Sequence, residues 1–305
     1  MPAATYREPV FLLTTGRSYS TVSIALLAGH PDIYGFPELQ LFVARTVGGF
    51  LGKSPARQWR YTYKIPERAH EIGVSGVLRT IADLHEGCQS AAAITRARSW
   101  LSRRADWSMN RLFDYFLTRI YPRIGIEKSP STVSTDVSLD ACISSHPDAR
   151  YIHLVRHPVT TQISMHNHWG AYYREPAALI SEAASSWYLT HFRIARMLSG
   201  RPADTWLRVR AEDLLREPHV WLPKVLGWLG LPCDAQVVEN MLRTERWPFA
   251  NTGTDGSLLG GDPGFMRAPA LRHIPEPGDI VFDPAWGLPA GMRDRMIRLA
   301  GFLGY

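Results

Sequence analysis

Two groups of residues in this sequence combine an arginine with small hydroxyl side chains. The first group lies in the segment GRSYST, and its members are Arg17, Ser18, Ser20 and Thr21. The second group is Arg156 with Ser164, much later in the chain. A guanidinium forks onto two oxygens of one phosphate or sulfate, and a hydroxyl supplies a further hydrogen-bond donor. The first group therefore predicts binding of a tetrahedral anion, and the chemistry of the second group is compatible with the same role.

The segment from Pro9 to His30 must position the first group. Val10 to Leu13 has the continuous apolar character of a strand that is buried on both faces. Apolar residues then recur at helical spacing, at Val22, Leu26 and Leu27. The order strand, loop, helix brings backbone N–H groups and hydroxyls to the positive end of a helix dipole, which favours an anion. A simple helix cap is the alternative, and the Walker A sequence GxxxxGK[ST] is absent.

Two further charged residues follow short apolar segments. Glu38 comes directly after Pro37, where a carboxylate is either a residue at the start of a helix or a catalytic base. Lys128 follows a predicted strand that begins at Ile124. Open parallel sheets bind ligands at the carboxyl ends of their strands, so Lys128 can face such a site. A surface ion pair with Glu127 is the alternative.

The second arginine group lies at the end of another predicted strand. Tyr151 to Val155 is apolar enough to be buried in a sheet, and Pro158 begins the exit from it. Val159 to His168 continues as a predicted helix that carries Ser164. Arg156 therefore lies at a strand end, with a hydroxyl on the helix that follows.

Histidines are concentrated in the same region, at His153, His157, His166 and His168. The first two share one side of an extended strand, but His166 and His168 diverge by about 200° on a helix. No nearby cysteine or carboxylate completes a recognisable ligand set. We therefore predict no metal site.

Length and composition place limits on the rest. With 305 residues and 45% hydrophobic content, the chain is predicted to form one large domain, or one domain with an insertion, over residues 1–305. The net charge of +6 comes from scattered arginines, which favours a small anionic ligand over nucleic acid. No run approaches the roughly 18 apolar residues of a membrane span, and no signal peptide is recognisable, so we expect a cytoplasmic protein. The cysteines are odd in number and far apart, which predicts reduced thiols.

The remaining sequence predicts helices, one more strand and a long loop. Residues 43–123 show helical spacing and no convincing strand, and we predict a helical insertion there. Residues 246–283 are rich in Gly, Pro and Asp and predict a surface lid or binding loop. The other predicted elements are helices at Ser134–Ser145, Ala177–Leu198, Trp221–Leu229, Val237–Leu242 and Pro289–Leu303, and a strand at Thr205–Val209.

The strand, loop and helix around GRSYST resemble the 5′-phosphosulfate loop of sulfotransferases that use 3′-phosphoadenosine 5′-phosphosulfate (PAPS). The resemblance implies that one continuous run holds the phosphosulfate: Gly16, Arg17, Ser18, Tyr19, Ser20 and Thr21. The family usually carries Gly at the position of Tyr19. If the loop needs a positive φ there, we expect a strained backbone at Tyr19 and a side chain turned outward.

Three other segments resemble the same family. The run Leu154 to Pro158, LVRHP, with Ser164 beyond it, is similar to the element whose Arg and Ser hold the 3′-phosphate of PAPS, which implies that role for Arg156 and Ser164. Lys128 matches a KSP or KTP element, in which the lysine approaches the oxygen between phosphate and sulfate. Glu38 matches the glutamate that accepts the substrate proton in tyrosylprotein sulfotransferases.

The resemblance implies a fold and a reaction. The fold is a central parallel sheet with a P-loop-like strand-loop-helix, helices on both faces and a helical insertion. The reaction is in-line transfer of a sulfuryl group from PAPS to a hydroxyl, without a metal. Glu38 would act as base, and Lys128 and Arg17 would neutralise charge on the leaving phosphate. The insertion resembles that of bacterial sulfotransferases acting on natural products or carrier-bound polyketide chains, which implies a small-molecule or carrier-bound acceptor.

Several alternatives remain open. A nucleotide kinase-like phosphotransferase would use ATP in place of PAPS. A non-catalytic protein that binds 3′,5′-adenosine diphosphate would keep the nucleotide pocket alone, an idea motivated by Tyr19. Histidine is the base in other relatives, so the candidates His70, His85 and His168 stand beside Glu38. Arg267 and Arg272 are candidate phosphate partners, and candidate acceptor-pocket residues are Trp59, Arg60, Tyr61 and Tyr63. The sequence does not indicate an oligomeric state.

Overall fold

A five-stranded parallel sheet forms the centre of the protein. The computed structural model describes residues 5–52, 69–170, 176–252 and 260–305, with backbone alone at 69–72 and 176–178. The strands are β1 (Val10–Leu13), β2 (Ile33–Gly35), β3 (Ile124–Glu127), β4 (Arg150–Val155) and β5 (Trp206–Arg210). Their order in the sheet is β2-β3-β1-β4-β5, and every neighbouring pair is parallel. The predicted α/β fold is confirmed.

The central position of β1 decides where the functional residues lie. Its four residues are all buried, as expected for a strand that is covered on both faces and paired on both edges. β3 pairs with it on one side and β4 on the other, with Phe11 opposite both Glu127 and Tyr151. Because the strands are parallel, the segments after β1, β3 and β4 leave the sheet at one edge.

Helices connect the strands and cover the sheet. They are α1 (Ser20–Leu27), α2 (Val47–Gly52), α3 (Ala69–Glu86), α4 (Ala91–Ser102), α5 (Met109–Ile120), α6 (Asp136–Ser145), α7 (Pro158–Trp169), α8 (Pro176–Ser199), α9 (Ala211–Arg216), α10 (Pro218–Leu229), α11 (Ala235–Met241), α12 (Pro263–Arg267) and α13 (Ala290–Leu303). Several begin where a side chain caps the first turn. Ser90 and Ser108 accept backbone N–H groups of α4 and α5, and Thr135 forms a reciprocal capping box with Ser138 at α6.

The insertion is helical as far as the structure describes it. Helices α2 to α5 lie between β2 and β3, and the described part of residues 43–123 contains no strand. The sequence prediction missed β2, because three residues are too few to show a periodic pattern. It placed β5 one residue too early, and it assigned only a loop to the segment that contains α12. α10 starts at Pro218, three residues before the predicted start.

Apolar packing is continuous from the sheet into the insertion. Phe11 of β1 contacts Phe113 of α5, and Phe113 contacts Phe36 just after β2. A smaller cluster around the buried Trp187 joins α8 to α13. The three cysteines form no disulfide. Among the described helices, none is both long and apolar enough to span a bilayer.

Candidate active site

The loop between β1 and α1 folds through two residues in the left-handed region. Arg17 has φ 62° and Tyr19 has φ 60°, a conformation that side-chain-bearing residues adopt at a cost. The N-cap residue of α1, Tyr19, makes no side-chain capping hydrogen bond within the described part of the chain. The hydroxyl of Ser18 is fully buried and has no hydrogen-bond partner among the described residues. Free donors at a helix start are what a bound anion requires.

Arg17 connects this loop to two other elements. Its Nε atom donates to the hydroxyl of Ser164 on α7 at 3.2 Å. Its Nη1 atom donates to Oδ1 of Asp262, just before α12, at 2.6 Å. The guanidinium of Arg17 therefore links the loop predicted to bind the 5′-phosphosulfate to Ser164, which is predicted to bind the 3′-phosphate.

Arg156 adjoins the same loop from β4. Its Nη1 atom donates to the carbonyl oxygen of Arg17 at 2.6 Å, and its Nε atom donates to Thr160 at 3.2 Å. The ring of Tyr19 covers the guanidinium, with 3.8 Å between its centroid and Cζ. The expectation of an outward-turned Tyr19 is therefore wrong, because a buried cation attracts the ring face. Burial lowers the pKa of Arg156.

Lys128 and Glu38 form an ion pair in which only the lysine is fully buried. The Nζ atom of Lys128 lies 2.7 Å from Oε1 of Glu38 and 3.2 Å from Oγ1 of Thr21. The side chain of Lys128 is wholly inaccessible to solvent, whereas that of Glu38 is 24% exposed. The alternative of a surface ion pair between Lys128 and Glu127 is therefore wrong. Glu38 lies outside all the described helices, so it is not a helix-start residue either.

The backbone of Glu38 is held from two sides. Its N–H donates to the carbonyl of Gly260 at 2.8 Å. On the other side α3 approaches so closely that a Cβ atom on Gly76 would lie 1.9 Å from the carbonyl oxygen of Glu38. Gln40, itself at φ 56°, donates its side-chain amide to Oε2 of Glu38 at 3.3 Å. Glu38 is thereby fixed in place beside Lys128.

Glu127 lies beneath this segment. It is fully buried, accepts a hydrogen bond from Ser129 and accepts the N–H of Leu39 at 3.4 Å. The hydroxyl of Ser129 also accepts the N–H of Gln40 at 2.9 Å. Burial raises the pKa of Glu127 to about 7. Glu127 and Ser129 therefore support the backbone that carries Glu38.

Asp262 is a site residue that sequence reasoning missed. Its N–H donates to Oγ1 of Thr21 at 2.9 Å, so the segment before α12 packs on the start of α1. Burial opposes ionisation, but the Arg17 guanidinium holds the pKa of Asp262 below its ordinary value. The sequence drew attention to Arg267 and Arg272 in this region, and both are exposed. In the sequence, the Asp-Pro-Gly pattern that starts at Asp262 indicates only a helix cap, which is the N-terminal cap of α12 in the structure.

The candidate histidine bases lie in different surroundings. His85 shares a hydrogen bond of 2.7 Å with the hydroxyl of Tyr115, inside an aromatic cluster of the insertion. His168 lies near Arg17 and Asp262, and burial lowers its pKa. The side chain of His70 lies outside the described residues. So do the proposed acceptor-pocket residues Trp59, Arg60, Tyr61 and Tyr63.

The histidines of β4 and α7 do not converge. His153 instead pairs with His191 of α8 at 3.0 Å in the core. Within the described ranges, no three His, Cys, Asp or Glu side chains are grouped so that they could hold a metal ion.

The site as a whole brings anion donors and an acid–base pair to one edge of the sheet. The guanidinium groups of Arg17 and Arg156 join the loop to α7, and guanidinium groups have the geometry to bind anionic groups. Lys128 contacts both Glu38 and Thr21, the second residue of α1. Such a site can bind a ligand with separate anionic groups and take a proton from a second reactant.

Comparisons with known proteins agree on one family. A family model described as the sulfotransferase family matches residues 9–235. The sulfotransferase domain from the curacin biosynthetic pathway superimposes with a TM-score of 0.72 at 20% identity, over 99% of each chain. The sulfotransferase domain from the Synechococcus PCC 7002 olefin synthase gives a TM-score of 0.72 at 26% identity, over 100% of this chain and 97% of that one. No curated protein matches the sequence significantly.

Proposed function

This chain belongs to the sulfotransferase family, and we propose that it moves a sulfuryl group from PAPS to a hydroxyl of a small-molecule or carrier-bound natural product. One observation carries the proposal. Arg17 donates to Ser164, and Arg156 donates to the backbone of Arg17, so two anion-binding elements meet at one edge of the sheet. PAPS carries anionic groups at both its 5′ and 3′ positions, and this pair of elements suits it.

The free donors of the site fit such a cosubstrate. The uncapped start of α1 and the unpartnered hydroxyl of Ser18 suit the 5′-phosphosulfate, together with the rest of residues 16–21. Arg156 and Ser164 suit the 3′-phosphate. When bound, PAPS supplies an activated sulfuryl group on a phosphate leaving group.

The chain's own residues supply positioning, a base and positive charge. Glu38 accepts the proton of the acceptor hydroxyl as that oxygen forms its bond to sulfur and the bond from sulfur to the phosphate oxygen breaks. Lys128 and Arg17 stabilise the negative charge that grows on the departing phosphate. The contact between Lys128 and Glu38 puts the base and this cation at neighbouring atoms. No covalent bond to the protein forms.

The acceptor class is supported by a relative. The 26% identical sulfotransferase domain is part of an olefin synthase, and the alignment covers the whole of this chain. We therefore propose a natural-product acceptor, either free or attached to a carrier.

A transfer assay tests this function. Purified protein would be given sulfur-labelled PAPS, or ATP labelled at its terminal phosphate, with a panel of free hydroxyl compounds and carrier-bound hydroxyacyl chains. We expect label to move from PAPS to a hydroxyl acceptor, and none to move from ATP. Phosphoryl transfer from ATP would favour a kinase. Tight binding of 3′,5′-adenosine diphosphate without sulfate transfer to any acceptor would favour a non-catalytic binding protein.

A further inference from the structure

The backbone of Tyr19 is strained at the point where its side chain contacts Arg156. Its φ of 60° and ψ of 14° lie in the left-handed region, which disfavours residues with a Cβ atom. Strain of this kind persists only when surrounding contacts impose it, and it is concentrated at functional sites. The contact in question is the stacking of the Tyr19 ring on the Arg156 guanidinium at 3.8 Å.

The guanidinium of Arg156 is held on three sides. Nη1 is bound to the carbonyl oxygen of Arg17 and Nε to Thr160. The ring of Tyr19 covers one face, and the residue as a whole is only 8% exposed. Among the residues that the structure describes, Nη2 makes no hydrogen bond. The guanidinium of Arg156 is therefore held in one orientation, and its Nη2 edge remains available to donate hydrogen bonds to an anion.

We propose that Tyr19 is a positioning residue that sets selectivity for the nucleotide 3′-phosphate by holding the Arg156 guanidinium with its ring. This inference rests on the proposed function, because it assigns the anion at Arg156 to PAPS. The ring gives a desolvated cation a favourable partner and prevents rotation of the guanidinium. A pre-oriented donor loses less conformational entropy on binding phosphate, so the ring increases affinity without contacting the nucleotide.

The ring, and not the hydroxyl, carries this role. The Tyr19 hydroxyl makes no hydrogen bond to the described residues, so Tyr19→Phe retains the stacking. Tyr19→Gly removes the ring and also removes the backbone strain, because glycine adopts positive φ freely. A loss of affinity in the glycine variant therefore cannot come from a strained backbone.

Calorimetric titration of the full chain with 3′,5′-adenosine diphosphate and with AMP tests the inference. We expect Tyr19→Gly to lower the affinity for the diphosphate about tenfold, which is the range of a desolvated cation–π contact. The affinity for AMP should change by less than about twofold. Tyr19→Phe should match the wild type for both nucleotides. In an Arg156→Ala background, Tyr19→Gly should have no further effect, since the ring acts through Arg156. Thermal unfolding of each variant checks that it is folded.

The outcomes separate this inference from the proposed function. A wild type that does not prefer the diphosphate over AMP would overturn both. A wild-type preference that survives in Tyr19→Gly would overturn the role of Tyr19 alone. So would equal loss of both nucleotides, or a Tyr19→Gly effect that is unchanged in the Arg156→Ala background.

Discussion

The Nζ atom of Lys128 lies 2.7 Å from Oε1 of Glu38, although ninety positions separate the two residues. The parallel pairing of β3 with β1 places Lys128 at the sheet edge, and the contacts of Gly76 and Gly260 place Glu38 above it. The pair joins a cation to a carboxylate beside the start of α1.

The first prediction concerns the base. Glu38→Gln keeps the shape of the side chain and one of the two oxygens that accept from Lys128 and Gln40, but removes its charge and its basicity. We expect turnover to fall by about 10² to 10⁴, the usual contribution of a positioned base, with little change in affinity for 3′,5′-adenosine diphosphate. Single-turnover sulfate transfer measures the effect, with His70→Ala, His85→Ala and His168→Ala as comparisons. If Glu38→Gln keeps a near-normal rate and one histidine variant loses most of its rate, that histidine is the base and Glu38 is not.

The second prediction concerns Gly76. A Cβ atom there would meet the Glu38 carbonyl oxygen at 1.9 Å, so Gly76→Ala must displace either α3 or the Glu38 segment. We expect a loss of about 1 to 3 kcal/mol in the free energy of unfolding, as for other overpacked sites, together with reduced turnover. Urea denaturation and the transfer assay measure both. Gly227→Ala is the matched control, because it also lies in a helix and a Cβ atom there meets nothing within 4 Å. Equal behaviour of the two variants would refute the close approach.

The third prediction concerns Glu127 and pH. Burial raises the pKa of Glu127 to about 7. A carboxyl whose pKa is higher in the folded state binds more protons when the protein is folded. The free energy of unfolding therefore falls as the pH rises from the pKa of the unfolded chain through 7. We expect the wild type to lose about 2 kcal/mol of unfolding free energy between pH 5.5 and pH 8, relative to Glu127→Gln. Urea denaturation at both pH values measures the difference. A difference that does not vary with pH would show that Glu127 does not titrate in this range.

The fourth prediction concerns Asp262, whose carboxylate pairs with Arg17 at 2.6 Å. Because an anionic ligand competes with this carboxylate for the same guanidinium, Asp262→Asn should bind 3′,5′-adenosine diphosphate several-fold more tightly at low salt. Asp279→Asn, an exposed acid elsewhere, controls for the change in net charge. Calorimetry at low and high salt measures the effect. Weaker binding in Asp262→Asn would mean that the carboxylate helps to form the site.

The sequence predicted the parts of the site that depend on local pattern. Val10 to Leu13 and Tyr151 to Val155 are apolar runs followed by polar residues, and the parallel sheet brings their ends together as expected. Lys128 follows from the same argument. Each of these predictions needed only a strand and the residue after it.

Other parts of the site depend on contacts between distant segments. Arg17 and Asp262 are 245 positions apart, and no local pattern relates them. The fit of Gly76 against Glu38 depends on how α3 crosses the segment after β2, which helical spacing does not specify. The ring of Tyr19 points inward because it stacks on the guanidinium of Arg156, which is far away in the sequence.

Calorimetric titration with 3′,5′-adenosine diphosphate, AMP and ATP tests most directly the claim that this site is built for PAPS. We predict that the wild type binds the 3′,5′-diphosphate more tightly than ATP. Arg156→Ala should remove about 2 to 4 kcal/mol of that binding, the usual loss for a charged phosphate contact, and leave AMP almost unchanged. A wild type that binds ATP at least as tightly as the diphosphate would contradict the account, as would an Arg156→Ala variant that loses AMP and the diphosphate in equal proportion.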